Sequence, residues 1–206
     1  MAIKLTKMEL RDQQYKLKQL QKYLPTLQLK KAMLQTEVNN AIYEIDGLSR
    51  EHRKKHQECA VFEALLSDPE AGLIDFATEI AEVEKRFENI AGAEIPFFER
   101  VVFKPIEYSL FETPLWVDSA IEKIKELVIA KEKVEVVKEK KRILEKELRE
   151  VSIRVNLFEK ILIPRTQENI KKIKVFLGDQ ELASVAQAKV AKGKIVKRKE
   201  KEVVLI

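Results

Sequence analysis

The sequence predicts a mostly α-helical fold. It reads as a long two-helix antiparallel coiled coil, made of the N- and C-terminal helices, with a small helix plus β-hairpin foot in the middle. Three observations predict it. Charged residues make up 35% of the 206 and glycines number only five, against roughly 25% charge and 7% Gly in ordinary globular chains. Apolar residues recur at heptad spacing over two separate stretches. Between those stretches lies a segment of different composition, dense in aromatics and broken by prolines.

The first stretch has a readable start. Thr6-Lys7-Met8-Glu9 is a capping box, in which hydroxyl and carboxylate each satisfy a first-turn N–H. From there the seam pairs are Leu10/Gln13, Leu17/Leu20, Leu24/Leu27, Lys31/Leu34, Val38/Ala41 and Ile45/Leu48, apolar except at Gln13 and Lys31. So narrow a stripe, sustained over six heptads, is a coiled-coil seam. The helix is expected to run to about Leu66, where Ser67-Asp68-Pro69 stops it. About sixty residues at 1.5 Å each span roughly 90 Å.

The second helix is expected to start at Asp118, an N-cap following Pro114-Leu115-Trp116-Val117. Its seam reads Leu127/Ala130, Val134/Val137, Lys141/Leu144, Leu148/Val151, Val155/Phe158 and Leu162/Arg165. The two stripes match in kind and length, and about 50 residues separate them, enough to fold one chain back on itself. The seam pattern by itself does not distinguish this from a parallel pairing of two chains. Lys31, Lys141, Gln13 and Arg165 interrupt the seams. A long side chain can snorkel to water there, or a polar seam residue can penalise misaligned registers.

In the middle, Leu73 to Ile90 reads as a short amphipathic helix with Ile74, Ala77, Ala81 and Val83 on its buried side. The runs Ala93–Phe103 and Ile106–Phe111 read as the strands of a small hairpin. Six of the chain's aromatics fall between residues 97 and 116. So many aromatics exceed what a connecting loop needs, and an exposed apolar cluster on a charged chain needs a cover. Ile95, Phe97, Phe98, Val101, Phe103, Tyr108, Phe111 and Trp116 are therefore the candidate partner surface. Pro25 and Pro164 each remove a helical hydrogen bond and are the expected helix kinks. In a fold-back they fall within about two turns of each other, as two independently tolerated kinks or as one bend.

These readings divide the chain into an N-terminal coiled-coil helix (1–66), a middle foot (67–117), a C-terminal coiled-coil helix (118–188) and a basic tail (189–206). The net charge of +5 is carried wholly by that tail, since Lys189 to Glu202 hold seven bases against two acids. No apolar run approaches the roughly 20 residues that cross a bilayer, and the N-terminus lacks the apolar core of a secretory signal. Cytoplasmic location is expected, and single Cys59 fits a reducing compartment. His52 and His56 share a helical face, but Arg53 stands where a zinc-protease motif needs an acid and Lys54 and Lys55 repel a cation. No phosphate-cradling G-x-x-x-x-G-K-[ST] occurs. No cofactor, metal or catalytic residue is expected.

Three irregular motifs then stand out: Leu5-Thr6-Lys7-Met8-Glu9-Leu10, Tyr23-Leu24-Pro25-Thr26-Leu27-Gln28-Leu29-Lys30-Lys31, and Arg154-Val155-Asn156-Leu157-Phe158-Glu159-Lys160-Ile161-Leu162-Ile163-Pro164-Arg165. With Ile95-Pro96 and Thr113-Pro114-Leu115-Trp116-Val117, they resemble the D subunit of V-type ATPases and ATP synthases, in order and spacing, from about residue 3 to about 185. The resemblance implies a non-catalytic rotor axle of the central stalk. Its termini would enter the bore of the head formed by the catalytic and non-catalytic A and B subunits. The F subunit of the stalk would grip it from the side, and the ring-capping subunit (C/d) would bind its foot. Any membrane association would be indirect, and no nucleic-acid partner is implied.

The chief rival is a coiled-coil scaffold or adaptor whose basic tail binds nucleic acid or an anionic membrane. The gamma subunit of F-type ATP synthases shares the shaft design, but that family places a Rossmann-like domain between its helices, for which about 50 residues are too few.

Overall fold

The computed structural model describes residues 3–67, 72–105 and 113–203. The fold is mostly helical. In chain order it comprises α1 (Lys7–Cys59), α2 (Gly72–Ala77), β1 (Ile80–Ile90), β2 (Ala93–Phe103), α3 (Leu115–Leu157), a π-turn (Phe158–Leu162) and α4 (Ile163–Val203). The chain divides into two compact units, Leu29–Ser152 and Met1–Gln28 with Ile153–Ile206. α1 and α3 each contribute residues to both units, while α4 belongs wholly to the second.

In the unit Leu29–Ser152, α1 and α3 pair antiparallel. Glu44 meets Lys140 at 3.0 Å, Lys55 meets Glu126 at 3.0 Å, and Cys59 Sγ donates to the Lys123 carbonyl at 3.4 Å, so partner numbers fall as α1 numbers rise. Between the helices lie buried Leu34, Val38 and Ala41 of α1 and Ala130, Val134, Val137, Leu144 and Val151 of α3. Lys31, Ile45, Leu48, Leu127, Lys141 and Leu148 are half-buried. Lys141 keeps its charge at the seam edge by pairing with Glu145 at 3.5 Å.

α1 ends at Cys59, earlier than the expected Leu66, and the chain continues through two 3₁₀ turns at Ala60–Phe62 and Leu65–Ser67. Such tightening is common at helix ends. The expected stop at Asp68-Pro69 lies outside the described residues. α3 begins at Leu115 rather than at the expected Asp118, directly after Pro114, whose carbonyl accepts from Val117 N–H at 3.0 Å. The early start is held by packing: Val117, Ala120 and Ile121 form a buried cluster with Ile74 and Ala77 of α2, against which Phe62, Trp116 and Ile124 are packed.

The expected helix over Leu73–Ile90 is corrected. Only Gly72–Ala77 is helical, and Ile80–Ile90 is a strand paired antiparallel with Ala93–Phe103. Ile74 and Ala77 are buried as expected, but Ala81 is exposed and Val83 half-buried on the strand. The hairpin thus lies one segment earlier than expected, and Ile106–Phe111 falls in the residues not described. Its two-residue turn is Ala91-Gly92, with φ of 52° and 83°, the doubly left-handed geometry of the tight hairpin turn. Asn89 Oδ1 accepts from Gly92 N–H at 2.9 Å, which helps hold an alanine in a conformation that costs roughly 1–2 kcal/mol.

In the other unit α1 and α4 meet at Lys7 and Glu181, 3.5 Å apart. Leu20, Val155, Thr166, Ile170 and Ile173 are buried, while Leu10, Leu17, Leu24, Leu27, Phe158 and Leu162 are half-buried. The start of α1 is capped as anticipated on one side only. Glu9 N–H donates to Thr6 Oγ1 at 3.2 Å, while the Glu9 carboxylate instead accepts from Gln13 Nε2 at 2.9 Å. α1 continues helically through Pro25. At the other proline the chain widens: Ile163 N–H donates to the Phe158 carbonyl, five residues back, immediately before Pro164. One extra residue in that turn shifts the buried stripe by one position. Buried Thr166 takes the place expected for Arg165, which is exposed. Its hydroxyl donates to the Leu162 carbonyl at 2.7 Å, so this buried polar group is satisfied.

Leu34 has 0% of its surface exposed whereas adjacent Met33 has 49%. Leu34→Ala should therefore cost about 2–5 kcal/mol, and Met33→Ala within about 0.5 kcal/mol. Chemical denaturation of the two variants checks this; equal losses would mean that the seam runs elsewhere.

Candidate functional site

The hairpin lies along α3, and lysines position it. Lys140 Nζ sits 4.5 Å from the centre of the Phe97 ring, Lys133 Nζ 5.7 Å from Phe98, and Lys125 Nζ 5.4 Å from Phe103. Strand numbers rise as helix numbers fall, so β2 runs antiparallel to α3. Lys85 of β1 adds an ion pair to Glu139 at 2.7 Å. Each cation over a ring face contributes about 0.5–1 kcal/mol when exposed and more when desolvated.

Lys140 joins three elements. It lies on α3, its side chain is 8% exposed, it donates to Glu44 of α1 at 3.0 Å, and it covers Phe97 of β2. A buried ammonium is tolerated only with partners, and here it has a carboxylate and a ring face. Beside it a cavity of about 270 Å³ is lined by Glu44, Leu48, Pro96, Phe97, Lys133 and Val137, among others.

Within the hairpin, Arg100 Nε and Nη2 donate to both oxygens of Glu84, each at 2.8 Å. This two-pronged bond clamps the strands beside the irregularity between Glu84 and Lys85. It holds the Glu84 carboxyl below its ordinary range and raises Arg100.

Near the α2 end of the helix pair, the bond from Lys55 holds the Glu126 carboxyl below its ordinary 4.5, and Lys55 is raised in turn. Burial, aided by Glu126, pushes the Cys59 thiol up.

Of the candidate partner surface, Ile95 is fully buried, Phe97, Phe98, Val101 and Phe103 are half-buried, and Trp116 packs on the α2 cluster. Tyr108 and Phe111 lie outside the described residues. On the hairpin itself Phe87 at 63% and Val102 at 36% are left exposed, and on α2 Phe76 at 65%, none of them singled out from sequence. Lys125, Lys133 and Lys140 were not singled out from sequence, because which lysine meets a ring depends on a strand distant in the chain. The His52 and His56 ring centroids are 6.5 Å apart, and among the described residues no group of three or more His, Cys, Asp or Glu is placed to hold a metal. No helix among them is long and apolar enough to cross a membrane.

In the unit Met1–Gln28 with Ile153–Ile206, α4 outruns its partner. Beyond Glu181, the residue facing Lys7, every side chain to Lys197 is exposed, including Leu182, Val185, Val190 and Ile195.

A profile of the family described as the D subunit of ATP synthase matches residues 9–193. The chain is 46% identical over 198 residues to the V-type ATP synthase D subunit of Chlamydia pneumoniae, covering 96% of this chain and 95% of the relative. It is 47% identical to that of Chlamydia caviae, covering 96% of each. The counterpart in Chlamydia trachomatis serovar L2 is 45% identical, with 96% and 98% covered.

Two outcomes follow from this geometry. A double-mutant cycle between Lys140→Met and Phe97→Leu should show about 0.5–2 kcal/mol of coupling; additive losses would mean that ring and cation do not interact. Glu126 gives up its proton more readily when folded, so its contribution is present above the ordinary carboxylate range. It is lost as pH falls through the lowered value. The wild-type melting temperature should therefore fall further on acidification from neutral pH than that of Glu126→Gln, with the two converging in acid. Parallel slopes would remove Glu126 from the account.

Proposed function

This chain belongs to the ATP synthase D-subunit family, and on that premise we propose that it is the central-stalk axle of a V-type ATPase or ATP synthase. In that role it transmits torque between the catalytic head and the membrane ring and carries no catalytic site of its own. The partners are the A and B subunits of the head, the F subunit of the stalk and the ring-capping subunit, through which it is held at the membrane.

The observation that carries the reading is the end of α4 beyond Glu181, whose side chains to Lys197 are all exposed among the described residues. A single helix exposing Leu182 at 71%, Val185 at 66% and Val190 at 59% leaves apolar surface in water unless something surrounds it. The bore of a head would cover it on all sides. An axle turning past non-identical positions needs shallow contacts in every orientation, and scattered apolar side chains among lysines provide them. Torque also requires two strands that do not slip. In the unit Leu29–Ser152 the Lys140–Glu44 and Lys55–Glu126 bonds join α1 to α3 and would resist sliding. The half-buried aromatics of the hairpin, with exposed Phe87, are the proposed foot surface for a stalk neighbour.

Ending the chain after Glu181 tests this. The truncated chain should keep its melting temperature, since the removed side chains are exposed. ATP turnover of the complex, or assembly with two nucleotide-binding subunits, should fall at least tenfold, which corresponds to about 1.4 kcal/mol of lost contact. Turnover and assembly that both survive would sink the axle reading.

A further inference from the structure

Where the hairpin crosses the helix pair, the three elements do not close completely on one another. The cavity of about 270 Å³ beside Lys140 takes its lining from α1, α3 and β2, all within the unit Leu29–Ser152. That volume lies just under the roughly 300–1,000 Å³ of ordinary ligand clefts, so it suits a compact molecule. Its walls are apolar: Pro96 is fully buried, Val137 is 5% exposed, and Leu48, Phe97 and Phe98 are half-buried. One wall is fixed by a buried charge, the ammonium of Lys140 held by Glu44 at 3.0 Å.

We propose that this cavity binds a small organic monoanion, a single aromatic ring bearing a carboxylate, with Lys133 as its counter-ion. Charge selects the anion. Three ionised side chains line the cavity, Glu44, Lys133 and Lys140. Lys140 and Glu44 answer each other, whereas Lys133 makes no ion pair with a described residue and sets its Nζ 5.7 Å from the centre of the Phe98 ring. Two ammonium groups against one carboxylate leave one positive charge in excess. A cation would be repelled by that excess, and an uncharged guest would cover the half-buried Lys133 without offering it a partner. A carboxylate supplies the partner through a charge-assisted hydrogen bond. The walls select the ring. Phe97 and Phe98 offer ring contacts worth more than the area they cover, and Leu48 and Val137 favour an apolar body. A phosphate would need several donors, which these walls do not supply. Bound there, the guest would touch both helices and the hairpin at once and hold the hairpin down by mass action. None of this depends on the axle reading, since every group belongs to one chain.

The test titrates the full-length chain with benzoate, benzyl alcohol and benzylammonium in turn, following the methyl resonances of Leu and Val. Benzoate is expected to shift Leu48 and Val137 saturably, with a Kd of about 5 mM or tighter, the range open to a ligand of so few atoms. The melting temperature should rise with its concentration. Benzyl alcohol should bind more weakly, and benzylammonium not detectably. Lys133→Met should weaken benzoate about tenfold while leaving benzyl alcohol unchanged. Leu48→Trp, which fills the cavity with a ring, should abolish both, its melting curve showing that it is folded; if it does not fold, Lys133→Met decides. Shifts that never saturate, or that spread over methyls far from Leu48 and Val137, overturn the site. Equal affinity for the three probes, or benzoate binding unchanged in Lys133→Met, overturns the choice of an anion and with it the proposal.

Discussion

Everything described in the unit Leu29–Ser152 depends on the apolar seam between α1 and α3. Isolated helices in water gain little from propensity, because nucleation is costly and exposed backbone competes with solvent. What keeps these two helical is the removal of Leu34, Val38, Ala41, Val134, Val137 and Leu144 from water. Burial of a large apolar side chain among them is worth about 1.5–3 kcal/mol. An apolar stripe alone tolerates sliding by a heptad. The Lys140–Glu44 and Lys55–Glu126 bonds add the directional component that makes one alignment better than its neighbours.

The hairpin exploits a different force. Fully buried Ile95 and Pro96 anchor it, and its aromatics also meet the ammonium groups of Lys125, Lys133 and Lys140. That choice follows from the helix it lies on. α3 must stay charged wherever it meets water, and a long lysine can serve both environments, laying its methylenes against a ring while keeping its charge near a carboxylate. The result is a β element held to a charged helix by ring–cation contacts as well as by its buried Ile95 and Pro96.

The prolines show how a local rule is absorbed by its surroundings. α1 passes through Pro25 as continuous helix. At Pro164, by contrast, the chain inserts a π-turn just upstream. Widening the turn there makes room for a ring that would otherwise clash with the preceding carbonyls. It costs one residue of phase, which is why Thr166 rather than Arg165 lies inside.

The sequence by itself determined the class of fold and where the first helix begins, because these rest on periodicity and local capping. Twelve seam pairs and a Thr-x-x-Glu box are short-range patterns that water reads directly. Ala93–Phe103 was legible as a strand, since its β-branched and aromatic residues suit a half-buried pleat. Its partner was not. Ile80–Ile90 alternates charge with isolated apolar residues in a way compatible with either a helix or a strand, and an Ala-Gly turn lacks the usual Asn-Gly signal. Only pairing with β2 across the Arg100–Glu84 clamp decided between them. The tertiary structure likewise decided which lysines are solvated and which, like Lys140, are buried. Those outcomes depend on which surface another element covers, and residues distant in sequence fix that coverage by filling the space first.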